Sequence, residues 1–324
     1  MSIGNPLPMG LAGIPQDTGL GPLKRSYGMA PFSTWDTRQA DWMSRRRLWL
    51  ARGLTSELGR EEKLTYQIPE KLADGTAAPQ IGNGTSVFDP VVCELAINWW
   101  SPPGGVVLDP FAGGSVRGII TSLLGRKYWG CELRREQVEA NRNQVASNPR
   151  LSGEHKPVWV CGDSAKVFTE GLKGRLPPEA DCIFSCPPYG DLEVYSKDPD
   201  DISNRDSYED FLADYSKIIS AAVARLRQDS FAVWVVGNYR NKDNGTMRDF
   251  VGDTVRAFRA AGAAYYNDII LINSVGSGAM RGRRTFDAAA KVIKLHQNVL
   301  VFVKGDAKVA NAKITGRKDA SAEE

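Results

Sequence analysis

The sequence predicts an α/β fold, a mostly parallel sheet with helices on both faces. Three observations predict it. From residue 106 onward, short apolar runs of strand length alternate with stretches whose apolar residues recur at helical spacing. Repeated βα units of this kind close only into a parallel sheet covered on both sides. Near the end, two apolar runs at 269–272 and 299–303 have no helix-length apolar pattern between them, which predicts an antiparallel pair.

The elements follow in order. A helix is expected to reach residue 51 from a cap at Ser33 or Asp36, with Trp35, Trp42 and Trp49 recurring every seven residues. Its tryptophans are expected to pack on the main domain. Arg45, Arg46 and Arg47 are then either solvated or on nucleic-acid phosphates. Next comes a helix from Pro90 to Trp100, with Val91, Leu95 and Trp99 on one face. Strands are expected at 106–109, 127–132, 157–161, 181–185 and 231–236. The helices between and after them are expected at 116–124, 134–146, from Asp163-Ser164, at 208–226 and at 250–261. Residues 1–33, rich in glycine and proline, read as a flexible arm. Residues 34–85 read as a helical extension and linker, 86–306 as the main domain and 307–324 as a polar, frayed tail.

The stretch from Val106 to Glu132 carries the first chemistry. Val106-Val107-Leu108 ends on Asp109, and Pro110-Phe111-Ala112-Gly113-Gly114-Ser115 turns into a helix. A second strand then closes on Glu132. Strand, glycine turn, helix, strand and acid bind an adenosyl cofactor at the carboxyl edge of a parallel sheet. Gly113-Gly114-Ser115-Val116-Arg117-Gly118 does not fit the dinucleotide pattern G-x-G-x-x-G. Asp109 would repel a pyrophosphate and suit a cationic sulfonium ligand, and Glu132 would accept two ribose hydroxyls.

At this point Asp109-Pro110-Phe111-Ala112-Gly113-Gly114 resembles the first motif of S-adenosylmethionine-dependent DNA amino-methyltransferases, which modify adenine N6 or cytosine N4. Ser185-Cys186-Pro187-Pro188-Tyr189 resembles their catalytic motif, an Asp, Asn or Ser followed by Pro-Pro-Tyr. Phe88-Asp89-Pro90 and the run from His296 to Phe302 look most like methylases carried by phages and prophages. The resemblance covers about residues 86 to 305. It implies the class I methyltransferase, Rossmann-like, sheet of seven strands with a C-terminal antiparallel hairpin. It also implies S-adenosyl-L-methionine as cofactor, held by Phe88, Asp109, Phe111, Gly113, Glu132 and Asp163. The partner is then DNA with the target base extruded, and a cognate restriction nuclease is a possible companion.

Catalysis by such an enzyme is mainly the positioning of two reactants, and an extruded base is held by aromatic stacking. Tyr189 is the stacking candidate; in the family, the Pro187 carbonyl and the side chain before it accept from the exocyclic amine. Pro188 stiffens the exit. Cys186 departs from the pattern, because a thiol is a weak acceptor. Either Cys186 suffices, or Asp191 or Glu193 supplies the acceptor, or the Cys186 thiolate attacks cytosine C6 and methylation falls on C5. Ser185 would point to the opposite strand face. A cofactor-binding module without catalysis is the non-enzymatic alternative, and an RNA or guanine-N2 substrate is a further one.

Around this core, the loop 190–206 is acidic and reads as a lid, with Tyr195 reaching the pocket, or as a solvated loop. The segment 276–284 reads as a basic hairpin tip, with Arg281, Arg283 and Arg284 placed for DNA beside Arg240. The bulk composition excludes other classes. A net charge of +3 is too small to announce nucleic acid alone. Five cysteines without a C-x-x-C pair, and only His155 and His296, argue against a disulfide framework, zinc and histidine-base chemistry. No 18-residue apolar run and no signal-peptide pattern is present, so a cytoplasmic setting in a bacterial or phage-infected cell is expected.

Overall fold

A computed structural model describes residues 22–55, 88–190, 198–276 and 278–316. The expected arm up to residue 21, the linker at 56–87, Asp191, Glu193 and Tyr195, and residues 317–324 lie outside the described residues.

The five βα units form as predicted. They are β2 (Val106–Asp109) with α4 (Val116–Leu123), β3 (Lys127–Glu132) with α5 (Arg135–Ser147), and β4 (Val158–Cys161) with α6 (Ser164–Thr169). Then come β5 (Ala180–Ser185) with α7 (Tyr208–Arg225), and β6 (Leu226–Val236) with α8 (Phe250–Ala260). Before them lie α1 (Pro22–Tyr27), β1 (Thr34–Asp36), α2 (Ala40–Leu50) and α3 (Pro90–Trp100). A short hairpin of β7 (Tyr239–Arg240) and β8 (Met247–Arg248) precedes α8. The chain ends in β9 (Ala264–Ile272), α9 (Gly278–Ala289), β10 (His296–Lys304) and α10 (Ala307–Thr315).

The large sheet runs β1-β9-β10-β6-β5-β2-β3-β4. β10 lies antiparallel between β6 and β9, and the other pairings are parallel. From β2 to β10 this is the expected mostly parallel sheet of seven strands with one antiparallel strand near its end. Alternate residues feed opposite cores, as a pleated strand requires. Val107, Phe184, Val233 and Val301 join α3 and α4 on one face, whereas Leu108, Ile183, Trp234 and Phe302 join α6, α7 and α8 on the other.

Four expectations fail. The helix from Ser33 or Asp36 begins only at Ala40; residues 34–36 add an eighth strand, parallel to β9. The β9 edge offers unpaired backbone groups, and Thr37 continues the pairing through its N–H and hydroxyl to the Ile272 carbonyl. Residues 276–284 are no hairpin tip but enter α9, whose run of Ala, Met and Arg favours helix despite Gly282. The final strands are therefore antiparallel but separated by a helix. Residues 307–315 of the expected tail form α10, capped by the Asp306 carboxylate on Lys308 N and Val309 N and ended by Gly316 in the left-handed region.

The tryptophan expectation holds. Trp35, Trp42 and Trp49 are buried in the same core as α3. Trp42 and Trp49 donate to Asp89 and Glu94. Arg45 is neither solvated nor free for phosphate, because it pairs with Glu94 and donates to the Gly28 carbonyl. No helix among the described residues is long and apolar enough to cross a membrane.

Candidate functional site at the carboxyl edge of the sheet

A cavity of about 620 Å³ opens where β2, β3, β4 and β5 end. Two neighbouring strands build it. β2 and β5 pair in parallel, so the turn after Asp109 and the segment after Ser185 emerge side by side. Pro110, Phe111 and Gly113 line one part, and Cys186, Pro187, Pro188 and Tyr189 another. Phe88, Glu132 and Asp163 complete the sequence-predicted set around the same space.

The turn is held open by its glycine. Gly113 has φ +52, a conformation that side chains rarely adopt, and an added Cβ would stand 3.9 Å from its nearest neighbour, Arg117 Nη2. Its N–H donates to Glu132 at 2.8 Å and its carbonyl accepts from Asn141 at 2.8 Å. Glu132 also accepts from the Arg134 N–H at 3.0 Å. Burial raises the pKa of this carboxyl above the ordinary value, against the lowering effect of the two backbone donors. Asp163 caps α6 through the Ala165 N–H, and the neighbouring Ser164 hydroxyl reaches the Pro110 carbonyl, which fastens the end of β4 to the turn.

Asp109 differs from the expectation. It is fully buried and does not line the cavity. One carboxylate oxygen accepts from Phe111 N and Ser185 Oγ, at 3.1 and 2.6 Å. The other accepts from Arg117 Nε and Tyr128 Oη, at 2.6 and 2.8 Å. Four donors occupy the four lone-pair positions of a carboxylate, so no capacity remains for a ligand. The same contact explains Ser185, which points away from the cavity as its strand position requires.

Tyr189 faces Tyr239 and Phe250 edge-on, with ring centroids 5.9 and 5.7 Å away. Gln297 of β10 donates to its hydroxyl at 2.7 Å. Gly190 follows with φ +54, where a Cβ would come within 2.5 Å of the Tyr239 hydroxyl. Only glycine lets the chain leave the Pro-Pro-Tyr segment there. Cys186 is half-buried and borders the cavity. From the loop expected as a lid, Asp200, Asp201 and Ile202 border it too, and Asp200 pairs with Lys166.

The DNA candidates stand apart. Arg281, Arg283 and Arg284 are exposed on α9, and Arg240 donates to the Gly245 carbonyl; none borders the cavity. Among the lining residues that the sequence did not place at this cavity are Arg117, Asn273, Gln297 and, from α2, Arg46. Arg117 carried a signal that was not used, a charge among Val116, Ile119 and Ile120 on a buried helix. No group of His, Cys, Asp and Glu among the described residues is placed to hold a metal ion.

Residues 80–143 match the model of a protein family described as DNA methylase. No curated protein matches the chain. Among solved structures, TrmN from Thermus thermophilus is 16% identical with a TM-score of 0.41, over 66% of this chain and 48% of that one. A methyltransferase from Pyrococcus furiosus is 17% identical with a TM-score of 0.42, over 82% of this chain and 98% of that one. Magnesium protoporphyrin IX methyltransferase from Synechocystis PCC 6803, with bound SAM, is 12% identical with a TM-score of 0.42, over 70% of this chain and 88% of that one.

Proposed function

We propose that this chain, with the class I methyltransferase fold and a DNA methylase segment, methylates an exocyclic amino group of a DNA base, adenine N6 or cytosine N4. The observation that carries the reading is the single cavity shared by the Gly113 turn and the Cys186–Tyr189 segment, two neighbouring strand ends. The residues fit S-adenosylmethionine. Glu132 presents a carboxylate for the ribose hydroxyls, Asp163 stands at the end of β4, and Phe111 and Phe88 give apolar walls. The space over Gly113 admits a ligand where a side chain would block it. When bound, the cofactor supplies an electrophilic methyl group on a sulfonium.

The chain's own part is placement. Tyr189 offers its ring to an extruded base, and Gln297 and Phe250 fix that ring. An exocyclic amine is a weak nucleophile because its lone pair delocalises into the base. The Pro187 carbonyl, with Cys186 beside it, accepts from the amine and favours the attacking geometry. Two prolines hold that carbonyl without the option of entering a helix. Arg281, Arg283 and Arg284 on α9, and Arg240, then serve the phosphate backbone.

The test is mass spectrometry of nucleosides from DNA incubated with the protein and S-adenosylmethionine. The expected product is N6-methyladenine or N4-methylcytosine, lost in Tyr189→Ala. C5-methylcytosine that disappears in Cys186→Ser would instead establish cysteine attack at C6, and no methylated nucleoside at all would leave only a binding module.

A further inference from the structure

The cavity contains a cation that the proposed chemistry has not yet used. Arg117 on α4 is 5% exposed and borders the cavity. Its Nε donates to Asp109, and its Nη2 donates to the carbonyls of Phe111 and Ala112, at 2.5 and 3.0 Å. Nη1 makes no hydrogen bond among the described residues, and it is not among the fully enclosed unpaired atoms. The Phe88 ring covers the guanidinium at 4.8 Å. So the group is fixed on three sides, with one pair of N–H donors left over.

Nη1 is open to the cavity, and a charged donor there makes a stronger hydrogen bond to an anion than to a neutral acceptor. Burial acts against this charge, and the Asp109 carboxylate holds it in place. An anionic ligand atom in the cavity would satisfy it. Glu132, placed for a ribose, accepts from the Gly113 N–H, and Cys186–Tyr189 borders the same cavity where the methyl group must go. A methionine tail extending beyond the sulfur then runs toward Phe88 and Arg117.

We propose that Arg117 binds the α-carboxylate of the methionine end of S-adenosylmethionine, and that Asp109 is the residue that positions Arg117 rather than a cofactor ligand. This rests on the cofactor assigned above. It also explains why Asp109 ends β2 although it reaches no ligand. Asp89 borders the cavity next to Phe88 and is the carboxylate offered to the α-amino group.

The experiment compares two ligands by calorimetry: S-adenosylmethionine and its decarboxylated analogue, which lacks only the carboxylate. The wild-type protein is expected to prefer the carboxylated ligand about 10- to 100-fold, the range of a charged hydrogen bond. Arg117→Met, made together with Asp109→Asn so that no unpaired carboxylate is left buried, is expected to bind both ligands alike. Arg117→Lys is expected to retain part of the preference. Equal wild-type affinities would overturn the assignment, and so would a preference that survives in the Met variant. The wild-type comparison needs no variant to fold. Absence of any S-adenosylmethionine binding would instead remove the methyltransferase reading, and this assignment with it.

Discussion

Glu132 shows how one side chain can serve a fold and a ligand at once. Its two oxygens tie the Gly113 and Arg134 N–H groups, so the carboxylate is already aimed at the turn before any ligand arrives. Burial, the largest influence on it, raises its pKa. An acid with a raised pKa takes up its proton at higher pH than usual, and a protonated carboxyl accepts ribose hydroxyls less well. Cofactor affinity should therefore fall as the pH drops from neutral toward the ordinary carboxylate range, earlier than for an unshifted acid. Glu132→Gln should bind more weakly at neutral pH and lose most of that pH dependence. Titration calorimetry across this interval checks both. Asp109 shows the limit of reading residues one at a time. Its position after an apolar run was legible, but the four donors that saturate it come from the turn, α4, β3 and β5.

Among the elements, α9 matters most for substrate. It projects Arg281, Arg283 and Arg284 into solvent, with only Gly278 buried. If these arginines meet phosphates, each contact releases counterions on binding. Replacing all three with alanine should weaken binding to any duplex sequence alike. The slope of log affinity against log salt should become shallower by up to about 3. A gel-shift series over salt concentration measures this, and unchanged slopes would remove α9 from the interface. The helix itself was hidden in the sequence because Gly276, Gly278 and Gly282 look like turn punctuation, while no apolar stripe marks a helix that stays largely exposed. The βα units were legible because each buries one face and so must show its period, as Val116, Ile119 and Ile120 do. The same reasoning explains the miss at β1. Three residues are too few for a pattern, and only the β9 edge makes them a strand.

For the whole molecule, the segment 34–50 is part of the main body rather than an appendage. Trp35 is 1% exposed and meets Trp42, Trp99 and Trp100 with centroids 5.4 to 6.2 Å apart. Removing this indole leaves a large void in the core that β9 and α3 share. Trp35→Ala should cost about 3–5 kcal/mol, read as a lower midpoint in chemical denaturation. A loss under about 1 kcal/mol would mean that the segment is dispensable for stability.

The order of the sheet also sets an order of events during synthesis. β10 sits between β6 and β9, yet it leaves the ribosome after both. Until residues 296–304 emerge, β6 and β9 expose facing edges that cannot meet each other, open to pairing with other nascent chains. The final strand is thus the keystone. Chains stalled before it should be the ones that chaperones retain, however complete their cofactor pocket already is.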